Sequence, residues 1–339
     1  MSDAGLDPDA SCSGEVHEGQ RTPLDMYFLV DQSGSMNEMV MGGTKWKVVS
    51  DSLAGFLNDP GNADIGVGIG YFPLGGACMP GQAGCTCIPF INICFSNMGG
   101  SCNVADYAKP GVALVLPPDH APVVADLAKH GPSGGTPTRP GLEGAMQYVT
   151  TWAQANPTRK SVVVLATDGD PTGCSPNSPQ DVANVAAAGL AGTSRIQTFV
   201  IGVGSSLTSL NLIAMSGGTG QAYLVDTGGS VATAFTAALN AIRGQAASCD
   251  FAIPAQTSQG PVDPHKVNVY VTPKGATQRV AVLMTTNGDP AGCGAGGGWY
   301  YDNPAAPKVI KLCDATCQSL NGGRVEVEFG CKTNEIVPK

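Results

Sequence analysis

Residues 26–35 read Met26-Tyr27-Phe28-Leu29-Val30-Asp31-Gln32-Ser33-Gly34-Ser35. Five apolar residues in a row, bounded by a polar turn cluster, predict a short strand buried on both faces, as in a parallel sheet. The loop that follows repeats a carboxylate and two hydroxyls at spacings of two. With Gly34 letting the chain turn tightly, Asp31, Ser33 and Ser35 can all point at one spot beyond the carboxyl edge of the sheet, where open α/β sheets place their ligands. Carboxylate and hydroxyl oxygens are hard donors, suited to Mg²⁺, Mn²⁺ or Ca²⁺.

Outward from this stretch, apolar runs alternate with amphipathic patterns from position 24 to 246, which predicts a doubly wound α/β sheet. Trp46, Val49, Leu53, Phe56 and Leu57 share one helical face. Residues 65–71 alternate branched residues with glycine, as a strand does where a helix packs closely. Further strands are expected at 112–116, at 161–166, near 198–202 and at 222–225, and helices at 121–130 and 139–155. Ser178-Pro179-Gln180-Asp181 supplies an N-cap, a proline at the first helical position and an acidic third residue, so a helix starts there. Ser230 caps a last helix that Gly244 is expected to close. The segment 74–107 interrupts the pattern with five cysteines and little periodicity, and is expected to be a stapled insertion on a surface loop. Beyond Cys249 the period becomes 2, and strands at 266–272, 279–283, 308–312 and 324–329 predict a small all-β module. The organisation expected is a polar tail over 1–22, an α/β domain over 23–247 and a β-rich module over 248–339.

Composition limits the partners. The chain has 339 residues, 27 acidic and 18 basic, with a net charge of −9 and no basic cluster. A nucleic-acid backbone or an anionic membrane would be repelled on average, and no apolar run reaches the roughly 18 residues of a membrane helix. Twelve cysteines point to disulfides in an oxidising compartment. The start of the chain lacks the basic and apolar regions of a secretion signal, so it is read as a mature form of an exported protein. Five cysteines in the insertion, at 78, 85, 87, 94 and 102, leave one to bond outside it, with Cys174 a candidate. A zinc site there is the alternative, although the spacing lacks the usual pairs and no histidine is near.

Asp31-x-Ser33-x-Ser35 directly after a buried strand resembles the metal-ion-dependent adhesion site of von Willebrand factor type A domains, whose fold is Rossmann-like. That family completes the site with a threonine from a glycine-rich loop and an aspartate after the fourth buried strand. Gly134-Gly135-Thr136 offers Thr136, and Thr167-Asp168-Gly169 offers Asp168 after the run Val162–Leu165. The resemblance spans about 220 residues and implies Asp31, Ser33, Ser35, Thr136 and Asp168 as the metal set. In that family the two aspartates often reach the cation through water, and a partner's Asp or Glu carboxylate fills the open position. The resemblance thus implies a non-enzymatic, cation-dependent adhesion or protein-binding module, of the extracellular space or cell surface of bacteria. Asp170 is expected to cap a turn, the alternative being a hydrogen bond to a metal-bound water.

Two other classes stay open in the sequence. Type A domains also dock AAA-type ATPases in cytosolic metal chelatases, a setting at odds with twelve cysteines. Gly131-Pro132-Ser133-Gly134-Gly135 matches the Gly-x-Ser-x-Gly pattern of serine hydrolases with His130 nearby, but a helix rather than a strand precedes it.

Overall fold

The computed structural model describes residues 14–75, 99–204, 207–247, 249–258, 260–320 and 323–334, and the backbone of two further strands, Cys85–Ile88 and Ile93–Ser96. The chain folds as two compact units, Pro23–Arg243 and a second that joins the residues up to Thr22 with those from Gly244 onward.

The first unit is an α/β fold, a mostly parallel sheet flanked by helices. Its strands are β1 (Leu24–Asp31), β2 (Gly66–Phe72), β3 (Val112–Val115), β4 (Lys160–Thr167), β5 (Gln197–Val203) and β6 (Tyr223–Val225). Besides a single turn at Val104–Tyr107, its helices are α1 (Lys45–Asn58), α2 (Ala121–Leu127), α3 (Thr138–Ala155), α4 (Pro179–Ala191), α5 (Leu210–Ser216) and α6 (Val231–Ala247). The sheet order is β6-β5-β4-β1-β2-β3, all parallel except β3, which runs against β2. The chain fills one side of β1 with β2 and β3 and then crosses to the other with β4. The carboxyl ends of β1 and β4 therefore flank the point where the winding reverses, the place such sheets open a crevice.

Burial explains the strand sequences. All eight residues of β1 are buried. On one face Tyr27, Leu29, Val163, Leu165 and Val200 pack with Leu142, Val149, Val182 and Ile213 of α3, α4 and α5. Met26, Phe28 and Val30, which point the other way, are equally buried, so no polar alternation survives. The glycines of β2 serve a purpose different from the expected helix packing. A Cβ on Gly66 would lie 2.0 Å from Asp25 Oδ1, one on Gly70 would lie 2.4 Å from the Tyr27 hydroxyl, and one on Gly68 would meet the Leu114 backbone at 2.9 Å. They make room for neighbouring strands and for two polar side chains of β1.

Helix starts follow local chemistry. The capping box at Ser178 and Asp181 forms as the sequence predicts, with both reciprocal bonds present. Gly244 does not close α6, which runs on to Ala247. Its backbone is not among those with positive φ, so it is an ordinary helical residue and not a left-handed cap.

The second unit holds a four-stranded antiparallel sheet in the order Glu15–Glu18, Arg324–Phe329, Val267–Thr272, Val280–Val282. A three-stranded sheet, Asp250–Ala252, Val309–Leu312 and Trp299–Tyr301, shares its core, with Val267, Val269, Trp299, Ile310 and Phe329 at the centre. Two features depart from the expectation. Residues 15–18, read as part of a tail, form an edge strand: Glu15 accepts the Ser258 N–H at 2.9 Å, and the His17 ring meets the edge of Phe329. Its polar composition hides it, because an edge strand buries little. A helix, Asp314–Leu320, also joins the strands. Disulfides Cys293–Cys313 and Cys249–Cys317 fasten that segment just before its first residue and at its middle. Cys331 is bonded too, and none of the described cysteines is free.

The insertion is anchored as the odd cysteine count suggested, by Cys102–Cys174. Cys12, Cys78 and the side chains of Cys85, Cys87 and Cys94 lie outside the described residues, and the zinc alternative lies there with them.

Candidate metal centre

Asp31 ends β1 and Asp168 follows β4, so two neighbouring parallel strands deliver both carboxylates to one edge. Asp31 is fully buried. Its Oδ1 accepts the Ser33 N–H at 2.7 Å, which folds the loop back on itself, and its Oδ2 accepts the Thr167 hydroxyl at 2.6 Å. The Ser33 and Ser35 hydroxyls lie 3.0 Å apart, and Ser35 donates to Asp168 Oδ1 at 2.7 Å. Asp31, Ser33, Ser35 and Asp168 therefore form one hydrogen-bonded set, with Asp31 joined through the Ser33 backbone N–H. Burial pushes the Asp31 carboxyl up to about 6, against the hydrogen bonds from Thr167 and Ser33, with the Asp168 charge adding to the rise.

Thr136 arrives on a separate loop that is tied to the first. Gly34 donates to the Gly134 carbonyl at 2.9 Å and Ser133 donates to the Gln32 carbonyl at 2.7 Å. The loop after β4 holds Thr136 from the other side. Thr172 N–H donates to the Thr136 carbonyl at 2.8 Å, the Thr136 N–H donates to the Thr172 hydroxyl at 3.1 Å, and the Asn177 amide donates to the Thr136 carbonyl at 3.0 Å. These contacts all engage the Thr136 backbone. Among the described residues no hydrogen bond occupies its hydroxyl.

Two charged residues complete the surroundings that the sequence pattern did not include. Lys45 Nζ lies 2.9 Å from Asp168 Oδ2 and 2.6 Å from Glu38 Oε2. Burial works against its charge, but the hydrogen bonds and charges of Glu38 and Asp168 outweigh it and hold the ammonium above its ordinary value. The sequence alone carries no signal for this lysine, because its burial emerges only on folding. Lys45 is the first residue of α1, where the helix dipole disfavours a cation, so a buried lysine there points to a local anion.

The donor set fits a hard divalent cation. All the oxygens come from carboxylates and hydroxyls, two carboxylates face one lysine, and the buried Asp31 carboxylate has no ion-pair partner among the described residues. Among the described residues no group of three or more His, Cys, Asp or Glu could hold a metal; the candidate centre draws on hydroxyls beside its two aspartates.

The neighbouring groups have other duties. His130 stacks on Tyr71 with ring centroids 3.6 Å apart and donates from Nδ1 to Gln32 Oε1 at 3.0 Å, while its Nε2 faces Asp126 at 3.4 Å. Burial pulls the His130 imidazole below its ordinary value, with Asp126 opposing in part. Both ring nitrogens face groups other than Ser133, so the nucleophile and base pair of a serine hydrolase is not formed. Asp170 accepts the Ser209 hydroxyl at 2.5 Å.

Among curated proteins no sequence matches the chain. Among solved structures, proximal thread matrix protein 1 from the mussel byssus is 15% identical with a TM-score of 0.43, covering 70% of this chain and 51% of its own. The open conformation of the pilus adhesin SpaC from Lactobacillus rhamnosus GG is 14% identical with a TM-score of 0.44, covering 92% of this chain and 39% of its own. Manganese-loaded TRAP protein of Plasmodium vivax is 19% identical with a TM-score of 0.38, covering 60% of this chain and 66% of its own. This chain thus spans about half the length of the mussel protein and less of the pilus adhesin. Residues 108–237 match the family model of the von Willebrand factor type A domain, and the α/β unit that contains them has that domain's fold.

Proposed function

We propose that the α/β unit is a non-enzymatic, divalent-cation-dependent binding module for a protein partner. Ser33, Ser35 and Thr136 would hold Mg²⁺, Mn²⁺ or Ca²⁺ through neutral hydroxyls, and Asp31 and Asp168 would hold its waters. A cation held by neutral donors supplies an electrophilic position that a partner's Asp or Glu carboxylate satisfies. The observation that carries this reading is the hydrogen-bonded convergence of Asp31, Ser33, Ser35 and Asp168 at the ends of β1 and β4. The type A match over 108–237 supports it. The disulfides support an exported, extracellular or surface setting, and no helix among the described residues is long and apolar enough to cross a membrane.

A pull-down from a binding fraction in Mg²⁺ and in EDTA tests the reading. Partners retained in Mg²⁺ should be lost in EDTA and lost with Asp31→Ala or Thr136→Ala, while circular dichroism shows both variants folded. Retention unchanged by EDTA would remove the cation from the account.

A further inference from the structure

Lys45 is an odd residue to find at a cation site. Its side chain is 10% exposed, and the Asp168 side chain it meets is 0% exposed. Both Asp168 oxygens are already engaged, Oδ2 by the Lys45 ammonium at 2.9 Å and Oδ1 by the Ser35 hydroxyl at 2.7 Å. Glu38 holds the lysine from the far side at 2.6 Å, and Lys45 N–H also donates to the Glu38 carbonyl at 2.9 Å. The hairpin between them, Met39–Val40 with Gly43–Thr44, makes this a short closed loop that delivers Glu38 and Lys45 together. The ammonium therefore has a fixed address and is not a long side chain that drifts in solvent.

We infer that Lys45 is the built-in counter-ion of the site, a positioning residue that neutralises Asp168, keeps that carboxylate off the cation, and so leaves tight cation binding dependent on the partner's carboxylate. This rests on the proposed cation site. Two consequences follow from charge alone. First, the fold does not need the cation, because the buried Asp168 already has a positive partner. Second, a cation entering beside a fixed ammonium is repelled by it and meets only the uncompensated part of the acidic charge, so its affinity without a partner is weak. An incoming carboxylate adds the missing negative charge, which couples cation and partner binding in both directions.

The test uses the full chain as wild type, Lys45→Met and Lys45→Gln. Mn²⁺ is titrated into each by calorimetry, and each is melted in EDTA and in Mn²⁺. Both variants are expected to bind Mn²⁺ at least about tenfold more tightly than wild type, since a like charge next to the cation is gone. They are also expected to melt below wild type in EDTA, with Mn²⁺ closing the gap. A merely structural lysine would lower melting equally in both buffers and would not tighten cation binding. If wild type binds Mn²⁺ and the variants bind it no more tightly, the counter-ion role is wrong while the cation site stands. If none of the three binds Mn²⁺, the cation reading fails and this inference fails with it. Variants that stay unfolded even in Mn²⁺ also contradict it, because the metal should replace the lost charge.

Discussion

At the scale of single residues, the α/β unit rests on buried charges with assigned partners. Asp25 is fully buried at the start of β1, where Arg159 grips both its oxygens from 2.6 to 3.0 Å and the Trp152 indole donates to one at 2.8 Å. Arg159→Met leaves that carboxylate with the indole alone, and denaturant unfolding should show a loss of about 3–5 kcal/mol. His130 gives a prediction in pH. Its folded value is lowered, so the folded state binds fewer protons than the unfolded one, and its stability contribution is present above the unfolded value and lost as pH falls through it. Melting temperature measured from pH 7.5 to 5 should fall less steeply for His130→Gln than for wild type, because the protonation penalty is gone. An equal slope would mean the imidazole charges in place without cost. Lys45 shows what residue-level reading from sequence misses: Asp31, Ser33 and Ser35 are two apart and declare themselves, while Lys45 and Asp168 meet across 123 positions.

At the scale of elements, the loops of the candidate centre are fixed by one another. Cys174 lies six residues after Asp168, and Cys102 closes the insertion onto it. The same segment carries Thr172 and Asn177, which clamp the Thr136 backbone. Replacing both cysteines by serine should cost about 2–4 kcal/mol in unfolding, the usual worth of a bridge closing a long loop. It should also weaken Mn²⁺ binding by calorimetry, since Thr136 and Asp168 lose their shared anchor; unchanged affinity would show that the hydrogen bonds suffice. Strands were the legible elements. Parallel strands covered on both faces read as continuous apolar runs, and 26–30 and 161–166 sit inside β1 and β4. Two elements of the second unit were not legible. Glu15–Glu18 buries too little to leave an apolar signature, and Asp314–Leu320 is only two turns long. The glycines of β2 were seen as a pattern, but their cause, the Asp25 and Tyr27 side chains, lies on another strand.

At the scale of the whole molecule, the type A fold explains why a chain with 13% charged residues can still present a strongly electrostatic site. The sheet brings Asp31 and Asp168 from distant sequence to one edge, and burial concentrates their field where water cannot screen it. Spacing singled out Asp31, Ser33 and Ser35, whereas Thr136 and Asp168 were implied by the resemblance to type A domains. The balance of charge around them came only from the folded chain, through Glu38 and Lys45. The central claim is that this edge binds a divalent cation. Calorimetric titration of Mg²⁺ and of Mn²⁺ into the purified full chain tests it most directly. The account predicts saturable binding at one site that disappears in Asp31→Ala; absence of a saturable heat with either cation, or binding unchanged in Asp31→Ala, would contradict it.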